Sequence, residues 1–305
     1  MPTRNNLNVR VHLQGYKMAS AGMRNLQDAL NADRDPTIQE AVRKFRDNII
    51  EAVTIPHYTL RRKYCILNWG VPSRLIPEPL QKVGYFLLNN NGTEIASNKQ
   101  SFFQTYSVLG LLPWYTTSLE EAQLRVNNST RSPNNPVLVE RHVLSGHSGN
   151  GIRLVFPGQQ VRPAPLYTSY ELKRDEYRVH FFKHPGEATQ YFVQQKRMRN
   201  GADGELGDGV SRFKVRNHAN GWVYCNQSVN SNATVNEAAS LFASSTTLDF
   251  GAIDIIYNSS QRRAYILEVN TAPGIEGSTV TWYINQIKTA CKNHNFESTS
   301  GKYSA

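Results

Sequence analysis

Three oxygen-bearing side chains near the C-terminal end of this sequence are spaced to share one ion. Asp254 lies in an apolar run before the polar turn Asn258–Gln261, and Glu268 and Asn270 lie in the run after it. Both runs are rich in β-branched and aromatic residues, which predicts a hairpin. Glu268 and Asn270 are two apart, so a strand puts them on one face. With the turn centred on Gln261, Asp254 falls opposite Glu268. Two adjacent carboxylates repel, and their desolvation adds to the cost, so the pair calls for a cation. Oxygen-only ligands suit a hard ion such as Mg²⁺, which takes few protein groups and leaves room for phosphates. The alternative is a structural hairpin holding one satisfied acidic pair.

The stretch Leu248–Ser278 resembles the metal-binding end of the ATP-grasp superfamily, with an Asp on one strand and Glu-x-Asn on the next. Its exit, Asn270-Thr-Ala-Pro-Gly274, is similar to that of the alpha-L-glutamate ligase-like branch, particularly versions carried by bacteriophages. The resemblance implies ATP and Mg²⁺ as cofactors, in two ions, with Mn²⁺ as a substitute. It assigns the metal to Asp254, Glu268 and Asn270.

A glycine-rich stretch, Gly146-His147-Ser148-Gly149-Asn-Gly151, separates two predicted strands. Glycines there let backbone amides approach phosphate oxygens. The stretch lacks the Lys-Ser/Thr of a P-loop, and its strand–loop–strand setting does not match a dinucleotide fingerprint. By itself it equally describes an ordinary hairpin; its order in the chain matches the glycine-rich loop of ATP-grasp folds. In that resemblance Lys99 is the first triphosphate cation. Arg141 or His142 takes the place of the second, and Arg141 is favoured because a guanidinium pairs bidentately with phosphate. Tyr170, Glu171 and Leu172 fall at the hinge that meets adenine, and Glu176 precedes Arg178 in a Glu-x-Arg segment. Arg178 would reach the transferred phosphate, with Lys196, Arg216 and Asn217 near substrate and metal. The alternative for Arg141 and for Lys196–Arg199 is solvated charge.

The implied activity is an ADP-forming carboxylate–amine ligase. A substrate carboxylate takes the γ-phosphoryl group, and an amine, from an amino acid or peptide-like acceptor, then displaces phosphate to form an amide. A kinase that stops at phosphorylation fits the same residues. No Ser/His/Asp triad and no cysteine nucleophile motif is visible.

These residues need an α/β scaffold. Alternating strand and helix signals predict a small N-terminal α/β domain over 1–92. They comprise a strand at Val9–Leu13, a helix with Met23, Leu26 and Leu30 on one face, and a strand at Tyr64–Asn68. Between them, Thr37-Ile-Gln-Glu40 fits a capping box, ahead of a helical stripe of Val42, Phe45 and Ile49. The turn Asn89–Gly92 marks the boundary. The resemblance implies an ATP-grasp domain over 93–294, with a glycine-rich lid lobe at about 96–168 and a metal-binding lobe at about 169–294. Its predicted helices carry Phe102, Phe103 and Tyr106, begin at Ser118 and at Thr234, and end with Val280, Tyr283, Ile284 and Ile287. Strands are expected at Leu111–Tyr115, Pro136–Val143, Ile152–Phe156, Tyr167–Leu172, Glu176–Phe182 and Gln190–Lys196. Phe213–Arg216 and Gly221–Cys225 read as a hairpin, Arg199–Gly209 as a loop, and 295–305 as a flexible tail.

Composition narrows the setting. Among 305 residues, 39% are hydrophobic, and no apolar run approaches the ~20 residues that span a bilayer. The polar start, Met1–Arg10, lacks a signal-peptide core. Cys65, Cys225 and Cys291 are far apart in sequence and in no Cys-x-x-Cys arrangement, which favours reduced thiols in a cytoplasm, a host's if the gene is a phage's. The net charge of +10 exceeds what a triphosphate needs. An anionic partner such as nucleic acid, through Arg61–Lys63, Lys196–Arg199 and Arg212–Arg216, would use the excess; a generally basic surface would not need one.

Overall fold

The computed structural model describes residues 8–15, 20–45, 63–72, 85–89, 91–145, 151–173, 175–199, 214–230 and 232–296. They build three sheets. The first is parallel, in the order β2-β1-β3-β4, from β1 (Val9–Gly15), β2 (Ile38–Phe45), β3 (Lys63–Trp69) and β4 (Tyr85–Leu88). Val9, Val11 and Leu13 are fully buried in it. Helix α1 (Ala21–Ala32) starts where Ser20 Oγ accepts from the Met23 amide, and it buries Met23, Leu26 and Leu30 as the spacing predicts. Such a cap contributes about 1 kcal/mol.

The segment expected to be a capped helix from Thr37 is β2 instead. Thr37 N–H donates to Asp35 Oδ1, so the polar cluster makes an Asx turn rather than a cap. Parallel pairing with β1 along the whole segment then outweighs a weak helical stripe. Ile49 lies outside the described residues. β4 is an addition to the elements read from the sequence.

The second sheet holds the order β11-β10-β9-β12-β13 and is antiparallel throughout. Its strands are β9 (Asp175–Phe182), β10 (Gln190–Met198), β11 (Trp222–Cys225), β12 (Phe250–Asn258) and β13 (Arg263–Asn270). Tyr177, Val179 and Phe181 of β9 alternate inward with Ile253 and Ile255 of β12. They meet Phe102 and Phe103 of α3 (Lys99–Tyr106) and Phe242 of α5 (Ala233–Ser245). The cap of α5 is Asn232, not Thr234, its side chain accepting from the Val235 amide. β11 pairs with β10; of the hairpin expected between Phe213–Arg216 and Gly221–Cys225, Lys214–Arg216 forms no strand and Phe213 lies outside the described residues.

The third sheet, β5-β8-β6-β7, comprises β5 (Tyr115–Thr116), β6 (Leu138–Arg141), β7 (Ile152–Val155) and β8 (Leu166–Ser169). The strand expected at Leu111–Tyr115 is reduced to β5. Helix α4 (Leu119–Asn127), capped by Ser118 as expected, covers the outer side through Ala122 and Val126. A one-turn helix, α2 (Thr93–Ser97), precedes α3.

Two joints tie the first sheet to the second. Asn89, at φ 59°, accepts from the amides of Asp249 and Phe250 through Oδ1 and donates from Nδ2 to the Phe250 carbonyl. Its own amide donates to Asp249 Oδ2 at 2.6 Å. The second joint is helix α6 (Ser278–Asn293), whose Tyr283, Ile287 and Cys291 share one core with Leu13, Met23, Cys65 and Phe86. Close approach matters here: a Cβ on Gly22 would sit 2.9 Å from the Pro273 carbonyl oxygen, so only glycine lets α1 lie against the Pro-Gly exit of β13. Within the expected flexible tail 295–305, Phe296 is instead buried against Phe86 and His294, because those rings offer it an apolar seat; 297–305 lie outside the described residues. No described helix is long and apolar enough to cross a membrane.

Candidate functional site

The face of the second sheet turned away from its apolar core is charged, and strand register stacks that charge in rungs. One rung runs Gln194, Arg178, Asp254, Glu268 across β10, β9, β12 and β13. Asp254 therefore lies opposite Glu268, as the turn position predicts, with a bulge just after Asp254. On the flanking rungs Ala252 lies between His180 and Asn270, and Ile256 sits beside Glu176. The third sheet faces these rungs with Val139, Ile152 and Leu154, enclosing a cleft of about 1140 Å³. That volume suits a ligand larger than a single amino acid.

Asp254, Glu268 and Glu176 in the cleft each meet a cation of the protein. Arg178 donates from Nε and Nη2 to Asp254 Oδ1 and Oδ2 at 2.7 and 2.8 Å. Burial raises the Asp254 carboxyl, but Arg178 outweighs it and the group is held below the usual carboxylate range. Lys99 Nζ is 3.1 Å from Glu268 Oε2. The charge balance anticipated from a metal is thus met by Arg178 and Lys99. Asn270 donates from Nδ2 to Asp254 Oδ2 at 3.3 Å, which leaves its Oδ1 clear of that bond. Carboxylate oxygens retain further lone pairs, so Asp254, Glu268 and Asn270 fit a hard divalent ion that arrives with phosphate oxygens. Among the described residues no group of three or more His, Cys, Asp or Glu could hold a metal unaided.

Glu176 is nearly fully buried between Lys173 (3.2 Å) and Lys196. Burial pushes its carboxyl up, and the two lysines more than reverse that. Arg178 and Lys196 also lie over the Tyr224 ring, at 4.2 and 4.8 Å. Arg141 lines the cleft, its Nε 3.3 Å from Thr168 Oγ1; burial lowers its pKa, opposed by Glu268. His142 instead lies 3.2 Å from Glu140 and is not part of the cleft wall, which separates the two candidates for the second cation.

Tyr170 and Glu171 border the cleft, whereas Leu172 is exposed and does not. Tyr170 packs on Val139 and Leu154 and donates from its hydroxyl to the Lys214 carbonyl at 3.1 Å; burial pushes its pKa up to about 12. Arg216, stacked 4.4 Å over Trp222, and Asn217 also line the cleft. Gly151, at φ 69°, accepts from the His142 amide just before β7. Gly146, His147, Ser148 and Gly149 lie outside the described residues, as does most of the Arg199–Gly209 loop. Sequence reasoning missed Lys173, Gln194, Lys214 and Tyr224 in the wall. Only Lys173, just past Glu171-Leu172, carried a local signal; β11 reaches the site solely through its pairing with β10.

The sequence matches no described protein family, and no curated protein is a detectable sequence relative. Solved structures are similar in fold. A D-alanine–D-alanine ligase from Bacillus anthracis aligns over 92% of each chain, at 13% identity and TM-score 0.57. A RimK domain ATP-grasp protein from Sphaerobacter thermophilus covers 93% of this chain and 98% of its own, at 12% identity and TM-score 0.56. The macrocyclase MdnC from Microcystis aeruginosa, bound to precursor peptide MdnA, covers 93% and 99%, at 15% identity and TM-score 0.56. Three sheets in this arrangement, with a charged cleft between the second and third, are the ATP-grasp fold.

Proposed function

We propose that the protein is an ATP-dependent carboxylate–amine ligase. The observation that carries this reading is the rung Arg178–Asp254–Glu268, with Lys99 and Arg141 around it, facing one large cleft. A triphosphate needs several cations at once, and a divalent ion held by Asp254, Glu268 and Asn270 would neutralise its β- and γ-oxygens. The similar folds belong to enzymes named as ligases, a RimK domain protein and a macrocyclase, which favours the same class of chemistry here. In this reading Val139, Ile152, Leu154 and Tyr170 sandwich the base, and Glu171 sits at the hinge beside it. Lys99 and Arg141 hold phosphate oxygens. Arg178, anchored by Asp254, presents its guanidinium to the phosphoryl group as it passes to the substrate carboxylate. Lys196, Arg216 and Asn217 border the same space. An amine then displaces phosphate from the acyl phosphate to form the amide. The acceptor is an amino acid or peptide-like amine.

Nucleic acid is less well supported as a partner. Lys196 and Arg216 point into the cleft rather than across an outer surface, and Lys63 lies over Phe296. Isothermal titration with a non-hydrolysable ATP analogue and Mg²⁺ tests the ligase reading. Wild type should bind and Glu268→Ala should bind at least tenfold more weakly; no binding by wild type, or equal binding by the two, ends the proposal.

A further inference from the structure

A second cavity, of about 670 Å³, opens between the C-terminal half of α4 and the chain that enters β6, and it shares no described residue with the cleft. Its wall combines apolar side chains, Trp114, Leu124 and Val137, with two guanidinium groups, those of Arg125 and Arg131. Arg125 lies 4.4 Å over the Trp114 ring. Arg131 donates from Nη1 to the carbonyls of Pro136, at 2.6 Å, and of Tyr170. Among the described residues neither arginine has a carboxylate within ion-pair distance. Glu121, the one acid in this wall among the described residues, instead accepts from the Thr116 hydroxyl at 2.5 Å through Oε2. The end of α4 does not account for Arg125 either, because the Leu124 and Val126 carbonyls already accept from the Asn128 and Ser129 amides. Burial lowers the Arg125 pKa, with Glu171 opposing and Arg131 adding to the fall, so the two guanidinium charges lie within reach of each other. Like charges drawn together beside apolar surface repel, and an anion between them removes that cost.

The way Arg131 is held leaves room for such an anion. Both of its side-chain bonds leave from Nη1. The Nε–Nη2 edge, which can grip a carboxylate or phosphate with two parallel bonds, is therefore open to a ligand. The Nη1 side reaches the nucleotide cleft, since Tyr170 borders it. We propose that this cavity is a second ligand site, for a small organic anion whose carboxylate or phosphate is held by Arg125 and Arg131 and whose apolar body lies against Leu124, Val137 and Trp114. An anion on Arg131 fixes the guanidinium that holds the Tyr170 carbonyl, so the anion and the nucleotide bind cooperatively. The site stands apart from the ligase reading; the cooperation rests on it, through the base placed beside Tyr170.

The test uses full-length protein saturated with a non-hydrolysable ATP analogue and Mg²⁺, so that the probes cannot occupy the cleft. Benzoate and phenyl phosphate are titrated by calorimetry, with benzyl alcohol as the uncharged control. At least one anion should bind one site with Kd of about 0.01–1 mM, at least tenfold more tightly than benzyl alcohol, and the tighter of the two tells a carboxylate site from a phosphate site. Arg125→Gln should weaken that anion roughly tenfold or more. Leu124→Glu, at a position 58% exposed, puts a carboxylate at the mouth without touching the core; it should weaken the same anion and keeps the test open if the first variant does not fold. By reciprocity, saturating anion should tighten the analogue about fivefold in wild type and leave it unchanged in Arg125→Gln. No binding of either anion, binding no tighter than that of benzyl alcohol, or equal binding by wild type and the variants overturns the site. An analogue affinity indifferent to the anion overturns the cooperation. Failure of the analogue to bind wild type would instead overturn the ligase reading, and the same titrations on nucleotide-free wild type and Arg125→Gln would still decide the site.

Discussion

Replacing Asp254 by asparagine separates what the central rung does for folding from what it does for ligand binding. The two side chains of the Arg178–Asp254 pair are 16% and 10% exposed, and both guanidinium–carboxylate bonds are shorter than 2.9 Å. The carboxamide in Asp254→Asn would keep one acceptor but turn an NH₂ toward the guanidinium, leaving a buried cation unpaired. Breaking such a pair costs about 3–5 kcal/mol. In a chain of this size that lowers the melting midpoint by roughly 6–12 °C, at about 2 °C per kcal/mol or slightly more. Removing the stranded charge as well, in Asp254→Asn with Arg178→Met, should recover at least half of the loss, because neither an unpaired charge nor an unpaired carboxylate remains. Nucleotide binding should behave differently: both variants should bind a non-hydrolysable ATP analogue with Mg²⁺ far more weakly than wild type. Urea unfolding and titration calorimetry on the four members of the cycle measure both quantities. A single variant within about 0.5 kcal/mol of wild type would refute the buried-pair reasoning. A stable double variant that binds nucleotide as wild type does would refute the functional assignment of the rung.

Two further outcomes follow from the same geometry. His180 has its folded pKa depressed to about 3, so between there and its unfolded value near 6.5 the unfolded chain binds the extra proton and stability rises with pH; urea midpoints should climb from pH 4 to 6.5, and His180→Gln should flatten that climb, while Asp254 and Glu176, also depressed, add acid sensitivity only below about pH 4.5. Cys65 and Cys291 are fully buried and Cys225 is not, so a thiol reagent should modify Cys225 first and the other two only on unfolding, and simultaneous fast reaction of all three would contradict the core.

The central hairpin was legible because its information is local. A polar turn between two apolar runs sets the register, and register alone puts Asp254 opposite Glu268. The same applies to α1, α3 and α6, where the apolar stripe lies within one segment. Segments whose state depends on a distant partner were not legible. Thr37–Phe45 carries a plausible cap, and its strand exists only because β1 offers a free edge. Trp222–Cys225 pairs with β10 across the chain, so nothing near it in sequence indicates that Tyr224 would lie beneath Arg178 and Lys196. Cys65 and Cys291, read as far apart, share one core because α6 returns across the first sheet. Strand alternation puts Arg141 and His142 on opposite sides but does not say which side faces the cleft; in the folded chain Arg141 lines it and His142 lies against Glu140.

The arrangement of charge also bears on why so many ions are buried at one place. A buried ion pair contributes little net stability, because desolvation consumes most of its Coulombic gain. Stability therefore gives no reason to gather Lys99–Glu268, Arg178–Asp254 and the Lys173–Glu176–Lys196 triad on one sheet face, when Ile or Val would cover it at lower cost. The proposed ligand, an anionic triphosphate travelling with a cation and so carrying both signs of charge, would supply the reason. In the proposed reading Glu268 can exchange its lysine for the arriving metal, and the freed Lys99 can turn to phosphate. Glu268 and Lys99, 30% and 14% exposed at the mouth of this array, are the pair with least to lose from separating. Arg178 and Asp254, joined by two bonds and almost without solvent access, are the pair that stays together and fixes the geometry for the rest.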